Sequence, residues 1–413
     1  MKDIRNYFLV FFALAYDDIP FFTYAHKGMW FILIIMLLPV FLSKTNNTIG
    51  RKVIFGLVAI WIIAILQFLV FKGITPSIVY RPLMILFTPF LFFKIMGLKF
   101  FKYMFNLIFY ITIVSFTLWV LQNSVYFIDI LLNKIVEFLF PYSWDVWPRS
   151  MIIHTIGINS IEQLGLYRYY GFFHEPGGSG IYIVLAIIIN TIFTKSLFGK
   201  KNIFLLIAAF ATFSTTVYIM IFILIGFWLF WNNKGVFSRI VTVGLFLGLF
   251  YLVFFRAEFM MEKIDNRFST QMQLQDVNNK KVRGRFYSFF KTVEAFRRNP
   301  VIGTGFLSVN KYEDVNRESS FGYGITGVFA KFGVVLGIFY IVFFYKGLKT
   351  ILYLADFKSN KYFALTLFII FQIGLATQLF TYHIAFMIIV VYGLENKSLR
   401  NNAKSEYSKK YLQ

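Results

Sequence analysis

The run Arg168-Tyr169-Tyr170-Gly171-Phe172-Phe173-His174-Glu175-Pro176-Gly177-Gly178 divides a polar stretch from a long apolar one. It gathers an arginine, a histidine and a carboxylate at the mouth of that apolar run. Pro176 suits the first turn of a helix, where no backbone N–H is needed. Glu175 then falls at the helix N-terminus, where the backbone dipole favours negative charge. Two readings start here: a capped helix start preceded by ordinary loop residues, or a reactive site at the end of a membrane span.

The rest of the chain is apolar in the same manner. Of its 413 residues, 58% are hydrophobic, 21% aromatic and only 15% charged. Its mean hydropathy is +0.68. Soluble proteins carry about 25% charged residues, so the composition is that of a polytopic membrane protein. There is no cysteine, which excludes a disulfide scaffold and a thiolate site. The opening Met1-Lys2-Asp3-Ile4-Arg5 leads into an apolar stretch followed by Asp17-Asp18, which reads as a retained first span. The net charge of +22 does not point to nucleic acid, because most lysines and arginines lie in short loops between apolar runs.

Twelve spans are expected, near 5–19, 28–43, 53–71, 78–96, 103–123, 177–194, 202–214, 215–232, 239–256, 323–345, 361–380 and 382–395. Residues 202–231 form one apolar run broken only by Ser214-Thr215-Thr216. About thirty residues is long for one span, so this run reads as a tight helical pair, with one long tilted helix as the alternative. Alternation places Lys44, Arg51, Lys94, Lys102, Lys195, Lys201, Lys234, Lys349 and Lys358 on one side, with the basic tail 396–413. The positive-inside rule makes that side the cytoplasm, with both termini inside. The fold class expected is an all-α polytopic integral membrane protein, one membrane domain over 1–413. Two large outer loops, 124–176 and 257–322, carry interfacial amphipathic helices. His26, His154, His174 and His383 all fall on the outer side.

In the first outer loop Asp129, Asn133 and Glu137 recur every four residues among apolar neighbours from Tyr126 to Phe140. That spacing predicts a helix lying in the membrane surface, ended by Pro141. In the second, Lys280 to Arg298 holds Lys280, Lys281, Arg283, Arg285, Lys291, Arg297 and Arg298 against Glu294 alone. Phe286, Phe289, Phe290, Val293 and Phe296 fall at helical spacing, which predicts a second surface helix with a basic face. Asn299-Pro300 stops it, and Gly303 and Gly305 permit a tight re-entry turn. The helix serves either anionic lipid or a diphosphate, whose oxygens match arginine's planar fork.

Two of these segments resemble a known family. The Arg-aromatic-x-Gly-Phe-Phe-x-Glu-Pro-Gly run is similar to the Wzy-type polymerases of O-antigen and capsular polysaccharide. Arg285 to Gly305, ending in Asn299-Pro300-Val301-Ile302-Gly303-Thr304-Gly305, resembles the region those polymerases share with the O-antigen ligases. The resemblance implies an undecaprenyl-diphosphate-linked oligosaccharide as substrate and transfer of the growing glycan to the non-reducing end of a new unit. It implies an active site facing the periplasm of a bacterial inner membrane, a chain-length regulator protein as partner, and no cofactor. It maps the family's arginines onto Arg168 and Arg285, with Arg283 an equal candidate for the latter, and its carboxylate onto Glu175. Ligases carry a His-Asn pair before the span that follows the second loop. Here that region reads Arg317-Glu318-Ser319-Ser320-Phe321-Gly322-Tyr323-Gly324, without histidine, which favours polymerase.

The residues alone agree with glycosyl transfer from a lipid-diphosphate donor. No P-loop, His-Glu-x-x-His zinc motif or Gly-x-Ser-x-Gly elbow is present. Arg168, Arg283, Arg285, Arg297 and Arg298 are the candidates for substrate binding, since arginines stabilise a leaving diphosphate without metal. Glu175 and His174 are the candidates for general base. Lys331 falls inside a span, where it lines a cavity or snorkels. The competing readings are an O-antigen ligase and a flippase or transporter for the same lipid-linked sugar, which should show internal repeats and broken midplane helices.

Overall fold

The computed structural model describes residues 2–18, 26–43, 51–70, 83–139, 153–156, 160–161, 166–173, 175–232, 285–304, 324–357, 361–376 and 382–399, with positions 235, 237, 239–241, 244, 248 and 251. These residues are overwhelmingly helical. Among them, Lys99–Ser124, Pro176–Thr194, Thr215–Asn232 and Gly324–Leu354 are long and apolar enough to cross a membrane, and shorter apolar helices accompany them. The chain is therefore an all-α, multi-pass membrane protein in architecture. Most of the span expected at 239–256 lies outside the described residues. Among them, β structure is limited to a two-residue antiparallel pairing, β1 (Ser160–Ile161) with β2 (Leu166–Tyr167), and an isolated bridge at Thr155.

The chain forms two compact units, Met1–Pro39 with Met96–Met260, and Val40–Ile95 with Met261–Gln413. The first contains α1 (Lys2–Asp18), and α2 (His26–Leu42) reaches its boundary at Pro39. It continues with α5 (Lys99–Ser124), α6 (Tyr126–Leu139), α7 (Pro176–Thr194), α8 (Lys200–Ala211) and α9 (Thr215–Asn232). Helix α7 is its centre, buried from Pro176 to Ile192. Asn202 of α8 closes the α7–α8 hairpin: it accepts from Asn190 at 2.9 Å and donates to the Thr191 hydroxyl and the Ser196 carbonyl, both at 3.1 Å. Such side-chain bonds hold helices together in lipid, where apolar contact alone gives little preference. On the other flank, Asn6 of α1 donates to Tyr103 at 3.2 Å and Asn106 donates to Tyr7 at 2.8 Å.

The run 202–231 is two helices and not one long tilted helix, but the first ends earlier than the Ser-Thr-Thr cluster suggests. Helix α8 ends at Ala211, and Phe213 adopts a left-handed φ of 47°. The Thr212 hydroxyl donates back to the Ala209 carbonyl at 2.7 Å, and the Ser214 carbonyl accepts from Tyr218 N–H at 3.0 Å to begin α9. A hydroxyl that competes for backbone carbonyls ends the first helix before the serine. At twelve residues, α8 is about 18 Å long, shorter than the hydrocarbon core.

The second unit holds α3 (Arg51–Val70), a π-turn Leu83–Phe87 leading into α4 (Thr88–Met96), α10 (Arg285–Arg298), α11 (Gly324–Leu354), α12 (Lys361–Leu375) and α13 (Ile384–Leu394). Every residue of α13 is buried. Its backbone lies directly against α11, because a Cβ added at Gly347 would sit 1.8 Å from the Ile389 oxygen, and one at Gly393 1.9 Å from the Phe343 oxygen. Small residues that let helix backbones touch are the usual basis of packing in lipid. Phe371 and Tyr392 complete this core against Phe386 and Phe93. Gly393→Val should cost about 1–3 kcal/mol or more through overpacking. It is checked by thermal unfolding of purified protein in detergent, and a wild-type midpoint would refute this account of the α11–α13 contact.

Candidate functional site

In the first unit, residues 167–169 are each held by hydrogen bonds to neighbouring elements. Tyr167 N–H donates to the Asn123 side chain, and Trp119 donates to the Tyr167 carbonyl, both at 2.8 Å. Tyr169 N–H donates to the Ala211 carbonyl at 3.0 Å. Arg168 donates from Nε to the Thr212 carbonyl at 3.2 Å and from Nη2 to the Phe213 carbonyl at 3.0 Å. It thereby caps the C-terminal end of α8, where the dipole favours a cation. Tyr169 is fully buried with its ring edge-on to Phe116 and Trp119. Phe172 and Phe173 are also fully buried, and Phe173 stacks on Tyr182 of α7 with centroids 4.7 Å apart.

Gly171 has a φ of +62°, a region side chains rarely enter. Its missing Cβ also leaves the place taken by the Ser179 hydroxyl, which lies 2.0 Å from where that carbon would stand. Glu175 is the extended residue before α7, with φ −129° and ψ 142°, and Pro176 opens the first turn as the sequence predicts. The Glu175 carbonyl accepts from Gly178 and Ser179 N–H at 3.0 and 3.2 Å. Its side chain is exposed and makes no capping bond to the helix. Glu175 is thus an exposed residue next to buried ones, Phe172 and Phe173 before it and Pro176 after it. His174 lies outside the described residues.

Sequence reasoning did not rank His154, yet it is completely buried. Its Nδ1 lies 3.0 Å from the Ser115 hydroxyl of α5, and the next residue, Thr155, donates N–H to the Gly171 carbonyl at 2.7 Å. Burial pushes His154 down from 6.5 to about 4, so it is neutral at pH 7. Nothing in its local sequence signals this, because the bonds come from α5 and from Gly171.

In the second unit, α10 forms as the aromatic spacing predicts and ends at Arg298. Arg297 and Arg298 are exposed. Arg298 pairs with Glu294 one turn back, an exposed contact that contributes about 0.3–0.5 kcal/mol. Arg285 begins the helix, its side chain lies outside the described residues, and so does Arg283. Phe296 meets Phe329 of α11 edge-on at 5.7 Å.

The turn after α10 enters a break in α11. Gly333 leaves helical geometry with φ 74° and ψ −176°. The Ala330 carbonyl accepts from both the N–H and the hydroxyl of Thr304, at 2.7 and 3.1 Å. The Lys331 carbonyl accepts from Gln67 Nε2 at 2.8 Å, and the same amide donates to the Ile302 carbonyl at 2.6 Å. Val334 N–H donates to the Pro300 carbonyl at 2.8 Å. The turn closes at Gly303 (φ 68°), whose N–H donates to the Asn299 carbonyl at 2.9 Å. Gly305 lies outside the described residues. Among the described residues, no group of three or more His, Asp or Glu could hold a metal ion.

These features describe a multi-pass membrane protein with a basic helix tied to a discontinuous apolar helix. Residues 202–345, a little over a third of the chain, match the Wzy_C family model, described as O-antigen ligase. Over that segment the chain is similar to the O-antigen ligase and polymerase superfamily, whose members act on lipid-linked polysaccharide. The match includes α8, α9, α10 and the broken part of α11, and Arg168 and Glu175 precede it. No curated protein and no solved structure matches the chain significantly.

His154 gives the first unit a defined acid sensitivity. Its folded value is depressed to about 4 from 6.5, so between those values the unfolded chain binds a proton that the folded chain refuses. The contribution is complete above pH 6.5 and is lost as pH falls toward 4. His154→Gln should therefore lose less thermal stability than wild type between pH 7 and pH 4.5, whatever its absolute midpoint. Parallel melting curves across that range would show that His154 is not buried neutral.

Proposed function

We propose that this protein is a polysaccharide polymerase of the bacterial inner membrane. It transfers a growing glycan from its undecaprenyl-diphosphate carrier to the non-reducing end of a new lipid-linked repeat unit, at the outer face, with both termini cytoplasmic. The observation that carries the reading is the basic helix α10, fastened through Asn299–Thr304 to a broken span inside the segment matching the O-antigen ligase model.

In this reaction the acceptor hydroxyl attacks the anomeric carbon of the donor. The carbon–oxygen bond to the diphosphate breaks, the hydroxyl proton leaves, and the lipid diphosphate departs with the electron pair. In this reading the charge developing on the diphosphate is taken at one end of α10, by Arg285 with Arg283 or by Arg297 and Arg298 about 20 Å along the helix, a task for planar guanidinium groups that needs no metal. Glu175 or His174 removes the proton. Arg168 binds sugar or diphosphate in this reading, and its two carbonyl contacts give it a second duty in holding the loop. A chain-length regulator is the expected protein partner.

The family description itself favours a second reading, an O-antigen ligase. The absence of histidine from 317–324 supports the polymerase. A deletion strain complemented with each variant separates them by its surface-polysaccharide gel profile, with membrane abundance checked alongside. For Arg285→Ala, polymerisation should fall by roughly a hundredfold, collapsing the ladder to a single repeat unit on its anchor, and Glu175→Gln should fall by a similar factor. Long chains that persist on the lipid carrier but never reach the final anchor would instead establish the ligase. Normal ladders from Arg168→Ala, Glu175→Gln and Arg285→Ala together would remove these residues from the chemistry.

The orientation has its own test. The chain has no cysteine, so Asn279→Cys in the second loop and Ser405→Cys in the tail are single labels. A membrane-impermeant maleimide added to intact spheroplasts should label position 279 and spare 405, and the reverse pattern would invert the topology.

A further inference from the structure

Lys331 is a cation within the apolar helix α11, and it stands two residues before the break at Gly333. It is half-buried, with its ammonium 5.0 Å from the centroid of the Tyr382 ring. That ring also meets Phe332 edge-on at 5.7 Å. The aromatic face and the C-terminal end of the first half-helix make a cation tolerable within this apolar helix. The backbone around it is held on both sides. Gln67 donates to the Lys331 carbonyl, Thr304 to the Ala330 carbonyl, and Val334 to the Pro300 carbonyl. Pro300 is two residues beyond Arg298, and Phe296 of the same basic helix lies against Phe329. The end of α10 and Lys331 are thus fastened to one helix break.

Charged residues within spans are costly and are retained where they bind or move something. We propose that Lys331 is a further substrate-binding residue, contacting the phosphate of a polyprenyl-diphosphate lipid beside the basic end of α10. The inference rests on the lipid-diphosphate reading given above and adds a residue to it. Lysine suits the task as a compact charge with three donors on a flexible stem, complementing the planar forks of the arginines. The face of the Tyr382 ring, uncharged at neutral pH, orients the ammonium.

The test uses full-length protein in nanodiscs, with undecaprenyl diphosphate and the uncharged undecaprenol as probes, each titrated by native mass spectrometry. Wild type should prefer the diphosphate. Lys331→Ala and Lys331→Gln should each weaken diphosphate binding roughly tenfold or more, while undecaprenol binding, which reports intact folded protein, stays unchanged. Lys331→Arg should retain most of the preference. Wild-type diphosphate affinity in both Lys331→Ala and Lys331→Gln, with Arg285→Ala weakened, would overturn the assignment of Lys331 and leave the polymerase reading standing. Equal affinity of wild type for the two probes would overturn both.

Discussion

In a bilayer a backbone N–H or C=O without a partner costs several kcal/mol, because no water is there to replace it. The second unit is arranged around one place where that rule is under strain. Helix α11 breaks at Gly333, where the chain takes a left-handed φ of 74° and where a Cβ would stand 1.9 Å from the Val301 oxygen. The break takes carbonyls 330 and 331 and N–H 334 out of the ordinary helical pattern, and each finds a partner. Thr304, Gln67 and Pro300 supply them. Because Pro300 and Thr304 belong to the turn that follows α10, satisfying the backbone and anchoring the basic helix are the same event. Gln67 joins α3 to this turn across 235 residues of sequence.

The same constraint governs the first unit at smaller scale. Helix α8 stops after twelve residues, leaving carbonyls at its end. Arg168 takes two of the carbonyls just beyond it, and Tyr169 N–H takes the one at Ala211. A residue that looks like a pure ligand-binding arginine is therefore also a helix cap. Its guanidinium, with donors in a fixed fork, is the group able to bridge two successive carbonyls. Glu175 has a different standing. It is exposed at the start of the most deeply buried helix in its unit, so the carboxylate is outward while its backbone is held.

What could be read from the sequence followed from local chemistry. Pro176 after Glu175 gave the start of α7, aromatic spacing from Phe286 to Phe296 gave α10, and Asn299-Pro300 gave its end. The length of 202–231 favoured two helices over one long tilted one. The error there, three residues in the position of the break, arose because the Thr212 hydroxyl bonds back to Ala209 and ends α8 before Ser214 does so. The pairing of Ser160–Ile161 with Leu166–Tyr167 was not legible, being two residues long and without an alternating pattern. Neither was the break at Gly333, since a glycine in an apolar helix is ordinary until something fills the space beside it. His154 was invisible for the same reason, its surroundings coming from Ser115 and Gly171.

By itself the sequence determined that this is an all-α membrane protein with a basic, aromatic-faced helix and a carboxylate before a buried span. Composition and periodicity are enough for that, because lipid tolerates few other ways of satisfying a backbone. Only the tertiary structure decided which polar groups close the gaps: Gln67 and Thr304 at the α11 break, Arg168 at the end of α8, Ser115 against His154. Those choices depend on which distant residue arrives within three ångströms of an exposed carbonyl, N–H or ring nitrogen, and that is a property of packing, not of any local pattern.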